Sequence, residues 1–146
     1  MLYVSDPNAG VPHRAATTST LLAELAADSD VGDVTTGRGI SGPGTEVIEI
    51  TLDQSDGHLS LVTMLAPSPD WFVGFSALQM YDSSAWIDRI VLDLQPYDAG
   101  TDSGARFVSV NADTQPPQVI SGPRDSQFVA AVNEGRFGYV VIERVG

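Results

Sequence analysis

Along this chain of 146 residues the alternation of apolar and polar positions starts late, at Glu46. Ile48, Ile50 and Leu52 alternate with Glu49 and Thr51, and after a turn around Asp56 and Gly57 a second run, Leu59 to Leu65, continues at period two. Side chains at that period line alternate faces of a pleated ribbon, so the two runs predict a β-hairpin. Further runs of strand-forming residues are Trp71 to Leu78, Arg89 to Leu94, Arg106 to Val110, Val119 to Ile120 and Phe137 to Val145. Before Glu46 the period is different. Leu21, Leu22, Leu25 and Ala26 fall at helical spacing between Thr18 and Asp28, with Thr18 or Ser19 as N-cap, and predict a short amphipathic helix. Ser29 to Gly44, rich in Asp, Gly, Thr and Ser, reads as a long loop. Asp125 to Glu134, stopped by Gly135, fits a second short helix or a structured loop. Six or seven short strands separated by turn clusters predict a mostly β chain folded as an antiparallel β-sandwich. The length suits one domain, residues 1–146, with a helix-and-loop lead (1–44) packed onto the sandwich (45–146).

Apolar runs no longer than six residues cannot span a bilayer as a helix, so a soluble protein without a transmembrane segment is expected. The opening MLYVSDPNAG has neither the basic start nor the apolar stretch of a signal peptide. Charge changes the picture further. All seven basic residues are Arg, 14 Asp stand against five Glu, and the net charge is −12. A field of that sign repels phosphate backbones, which disfavours nucleic acid as a partner, and makes a bound cation the natural attractive spot on the surface. Cysteine is absent, which removes thiol nucleophiles, Cys-ligated zinc and disulfides. No Asn-x-Ser/Thr sequon occurs.

Two acidic motifs carry the candidate chemistry: APSPDWFVG (66–74) and LQPYDAGTDSG (94–104). Each sets Asp in a turn of Gly, Pro and Ser beside a strand-forming run, where β-rich proteins gather oxygen ligands for hard cations. Gly100 and Gly104 let the backbone curl so that Asp98 and Asp102 can converge, and Asp70 in the neighbouring motif is the third donor. The spacing is not that of an EF-hand, because Gly100 and Ser109 hold its third and twelfth positions. Spacing leaves a second role open, in which each Asp simply caps its turn by accepting main-chain N–H bonds.

Together with Trp86 and Asp93-Leu94, these blocks resemble the signature of the spondin N-terminal domain, over about Ser60 to Ile120. The resemblance implies a β-sandwich similar to calcium-dependent phospholipid-binding modules. It implies a calcium ion held by Asp70, Asp98 and Asp102. It also implies a secreted or cell-surface location and a non-enzymatic adhesion role, with an extracellular protein or glycan as partner; a monomer is expected. A calcium of purely structural role in a scaffold domain and a carbohydrate-binding module are the alternatives. Tyr81 stands where animal members of that family have a cysteine, so their disulfide is missing; the stretch before about Glu46 shows no quotable likeness.

Other motifs weigh less. GRGISG (37–42) matches a dinucleotide-binding glycine pattern, but no apolar strand precedes it and Pro43 and Gly44 follow where a helix would start. His13 and His58 have no Gly-x-Ser-x-Gly nucleophile to serve. Asp98 and Asp102 as glycosidase carboxylates would need one apolar setting, whereas both lie in polar turns. Trp71, Val73 and Phe75 share one strand face and predict core, as does Trp86.

Overall fold

Strand-forming runs become strands where a neighbouring run closes their main-chain hydrogen bonds, and this condition sorts the expected elements. The computed structural model describes residues 18–40, 43–104, 106–122 and 137–146. Its elements in chain order are α1 (Thr18–Ala27), a 3-10 turn (Gln54–Asp56), β1 (His58–Met64), β2 (Trp71–Gln79), β3 (Arg89–Asp93), β4 (Gln95–Asp98) and β5 (Tyr139–Glu143). The chain is mostly β and antiparallel, with one short helix. β1, β2 and β4 form one sheet in the order β1-β2-β4, and β3 pairs with β5 in a second.

The hairpin expected from Glu46–Leu52 and Leu59–Leu65 is not formed. β1 pairs instead with β2, Leu61 opposite Phe75 and Met64 opposite Phe72, while residues 44–53 carry no strand. The tight APSPD connection favours the observed pair. Leu65 N–H donates to the Trp71 carbonyl at 2.9 Å, and Ser68 Oγ accepts the Trp71 N–H at 2.9 Å. β2 carries an extra residue, since Leu59 faces Leu78 and Leu61 faces Phe75. Ala77 lies at this bulge with φ 51°, and its amide donates to Ser60 Oγ at 2.9 Å. Gly74 lets β1 approach, because a Cβ there would overlap the Leu61 carbonyl oxygen.

β4 was not anticipated. Pro96 and the short run QPYD hide it, yet it pairs with β2 from Trp71↔Asp98 to Gly74↔Gln95. Pro96 cannot donate to a ladder and survives near a sheet edge. Residues 106–110 and 119–120 form no strand; the latter lead only to a bridge between Ser121 and Asp98. The 125–134 segment lies outside the described residues. Thr18 and Ser19, expected as N-caps, fall inside the first turn of α1. Among the described residues, no strand packs extensively against α1.

The core centres on β2. Trp71 and Val73 are 1% and 2% exposed, and Phe75 is half-buried on the same face. Trp71 meets Phe107 at 6.0 Å between ring centroids, and Phe107 meets Phe137 at 6.5 Å, an aromatic line toward the start of β5. On the opposite face Phe72 stacks on Tyr97 at 5.4 Å. Trp86 is half-buried and tilted against Tyr81, 5.0 Å away. No helix among the described residues is long and apolar enough to cross a membrane.

Candidate functional site

The fold brings the two acidic motifs to one end of the first sheet. Asp70 precedes β2, Asp98 ends β4, and because Trp71 lies opposite Asp98 the two turns leave the sheet side by side. Ala99 N–H donates to the Asp70 carbonyl at 3.2 Å, which stitches one turn to the other. All three aspartates are buried, at 6% (Asp70), 8% (Asp98) and 4% (Asp102) exposure.

Each carboxylate holds main chain. Asp70 Oδ2 accepts the Thr101 N–H (2.9 Å), the Asp102 N–H (2.8 Å) and the Thr101 hydroxyl (3.3 Å). Asp98 Oδ1 accepts the Gly100 N–H at 2.8 Å. Asp102 accepts Gly104 N–H at Oδ1 (2.7 Å) and Ala112 N–H at Oδ2 (2.5 Å). The turn-capping role that spacing left open is therefore present in all three. Gly100 makes the curl possible: its φ is +73°, and a Cβ would overlap the Gln118 carbonyl oxygen.

What capping leaves over is charge. No Arg or His among the described residues pairs with any of the three, and the Asp70 Oδ1 atom is buried without a hydrogen-bond partner. Burial, opposed by the amides of Asp102 and Thr101 and reinforced by the nearby Asp98 charge, pushes the Asp70 carboxyl above its ordinary pKa. An orphaned, buried carboxylate oxygen in an all-oxygen donor set fits a hard divalent cation. Geometry is less accommodating. Among the described residues no three acidic or imidazole groups stand close enough to share one ion as they are placed.

Asp98 and Asp102 also line an open cavity of about 180 Å³ with Gly100, Ser103, Thr114 and Ser121. Its far wall is the returning segment 111–121, held by Thr114 N–H to the Thr101 carbonyl (2.9 Å), Gln118 N–H to the Gly100 carbonyl (2.8 Å), and a two-way pairing of Ser121 with Asp98. Sequence reading missed this wall, and it missed Thr101, 3% exposed, as the residue that seats Asp70. Only the hydroxyl between Gly100 and Asp102 could have pointed to Thr101; nothing in NADTQPPQVIS pointed to the wall.

A family model described as Spondin_N matches residues 9–130, which takes in the helix and loop before Glu46 where no likeness was legible. Spondin-2 of Homo sapiens is 42% identical over 81 residues, 56% of this chain and 24% of that protein. Spondin-1 of Gallus gallus is 44% identical over 73 residues, 49% of this chain and 9% of that protein. The matched stretch thus spans a quarter or less of these relatives. With the family match running through the lead, the acidic turns and the returning wall, the chain belongs to the Spondin_N family.

Proposed function

We propose that this chain is a calcium-dependent, non-enzymatic interaction module of the cell surface or extracellular matrix, built as a β-sandwich. Family membership and the resemblance to the spondin N-terminal domain support the adhesion setting. The observation that carries the calcium reading is Asp70 Oδ1, a buried carboxylate oxygen with no hydrogen-bond partner, in a pair of adjoining turns whose two further buried carboxylates pair with no Arg or His among the described residues. Asp70, Asp98 and Asp102 would hold the ion, with main-chain carbonyls and water completing the six to eight oxygens that calcium takes. When bound, it supplies positive charge at an end of the sheet that is otherwise acidic, and an open coordination position for an acidic or hydroxylated partner.

Calorimetric titration of chelator-treated protein with calcium, with magnesium as comparison, tests the reading. The expected result is one site with a dissociation constant on the order of 0.1 to 1 mM and a preference for calcium. Absence of calcium binding by the intact chain would overturn it.

A second reading, a purely structural ion, is favoured by the three hydrogen bonds that Asp70 Oδ2 already makes to the DAGTD turn. The two part in a pull-down of matrix proteins and glycans with and without chelator. The interaction reading requires chelator to abolish capture; the structural reading requires calcium to raise Tm with capture unchanged.

A further inference from the structure

β1 has two edges, and the structure ladders one. From His58↔Gln79 to Met64↔Phe72 it pairs with β2, and no main-chain bond among the described residues reaches its outer edge. That edge, HLSLVTM, contains no Pro, Lys, Asp or Glu, the residues that proteins place on an edge to stop another strand adding to it. The segment immediately upstream is the alternating run that the hairpin expectation rested on. Glu46–Leu52 exposes Val47 at 86% and Ile48 and Ile50 at 41% each. It too has no main-chain hydrogen bond among the described residues. Seven residues of β-forming sequence therefore lie, six positions upstream in the chain, ahead of a seven-residue strand whose outer edge has no main-chain partner among the described residues.

Both ends of the segment are tethered. At its start the Glu46 carboxylate accepts the Arg38 N–H (2.6 Å) and the Gly39 N–H (3.1 Å) of the preceding loop. Past its end the chain is wound into the 3-10 turn, with Asp53 Oδ1 accepting the Ser55 N–H at 2.7 Å and the Gly57 carbonyl accepting the Met80 N–H at 2.7 Å. A short tether makes the local concentration of this strand at the β1 edge far higher than that of any separate molecule.

We infer that Glu46–Leu52 is a strap that closes on the outer edge of β1 as a fourth strand of the sheet. Leu52 then lies opposite Leu59, Ile50 opposite Leu61 and Ile48 opposite Thr63. Because Leu61 pairs with Phe75 and Thr63 with Val73, this register adds the three apolar side chains to the face that buries Trp71 and Val73. A slip of one residue would turn them to the other face, which is why hydrophobic burial selects the register.

Residue-resolved amide hydrogen exchange on the full chain, at two protein concentrations, tests the strap. Closure slows every second amide of Val47–Leu52, together with the outward amides of β1, by about ten-fold or more relative to unstructured chain, equally at both concentrations. Ile50→Asp, at a position exposed in the open arrangement, should abolish that protection and leave the β1–β2 amides protected. Exchange at unstructured rates throughout 46–52 would overturn the proposal. Protection that appears only at the higher concentration would assign the edge to a second copy of the chain and overturn it equally.

Discussion

At the scale of residues, the three aspartates hold main chain, and under the proposed function they would also hold an ion, two jobs that need different chemistry. As caps they need only an acceptor, which Asn also supplies; as ligands they need charge. Asp98→Asn keeps an oxygen for the Gly100 amide and so should cost the calcium-free protein less than about 1 kcal/mol, while calcium affinity falls about ten-fold or more. Paired thermal melts and calorimetry check both halves. Asp102→Ala strands the amides of Gly104 and Ala112 and should destabilise the calcium-free protein by about 2–3 kcal/mol in denaturant titration, with a larger deficit in calcium because a proposed ligand is lost as well. Asp70 gives a pH signature. Its carboxyl is raised above its ordinary pKa chiefly by burial, so in the calcium-free protein the folded state holds the proton more tightly than the unfolded chain does. Its contribution therefore favours folding below its raised pKa and loses stability as pH climbs out of the usual carboxylate range. Melts in chelator across pH 4–7 should show that decline, and Asp70→Asn should flatten it.

Among elements, β2 organises the sheet because both neighbours ladder to it and because Gly74 permits close approach. Gly74→Ala forces a methyl against the Leu61 carbonyl and should cost about 2 kcal/mol or more by chemical denaturation, with β1 amides losing protection first. The elements legible in the sequence were those with an unbroken local signal. The periodicity of 18–28 gave α1, and the runs from Trp71 and from Arg89 gave β2 and β3 within a residue of their ends. The core positions Trp71 and Val73 followed from period two on a single strand. What local pattern could not carry was partnership. Glu46–Leu52 and Leu59–Leu65 have matching periods, but choosing between that pair and β1–β2 depends on the five residues of the APSPD turn. β4 escaped because Pro96 reads as a breaker and its register partners lie 21 to 27 residues away. The candidate site was legible in its three aspartates, since Asp, Gly and Pro mark turns; its far wall at 111–121 was not, because long-range bridges leave no periodic trace.

For the whole molecule, a net charge of −12 without Lys means that folding gathers like charges, three of them buried together. Cations should relieve this in two distinguishable ways. Monovalent salt raises Tm gradually through screening, whereas calcium at about 100 times its dissociation constant adds about 2.7 kcal/mol through one saturable site. A Tm that followed ionic strength alone, with no extra rise from calcium, would leave only the general effect. The aromatic arrangement supplies the readout. Trp71 follows Asp70 and faces Asp98 across the ladder, sealed from solvent, while Trp86 lies half-open against Tyr81. The chain thus carries two indoles of contrasting accessibility, one adjoining the proposed ion and one in the β2–β3 connection. Acrylamide should quench Trp86 and spare Trp71, so calcium binding can be followed by intrinsic fluorescence without an added dye, with one tryptophan reporting and the other serving as internal reference.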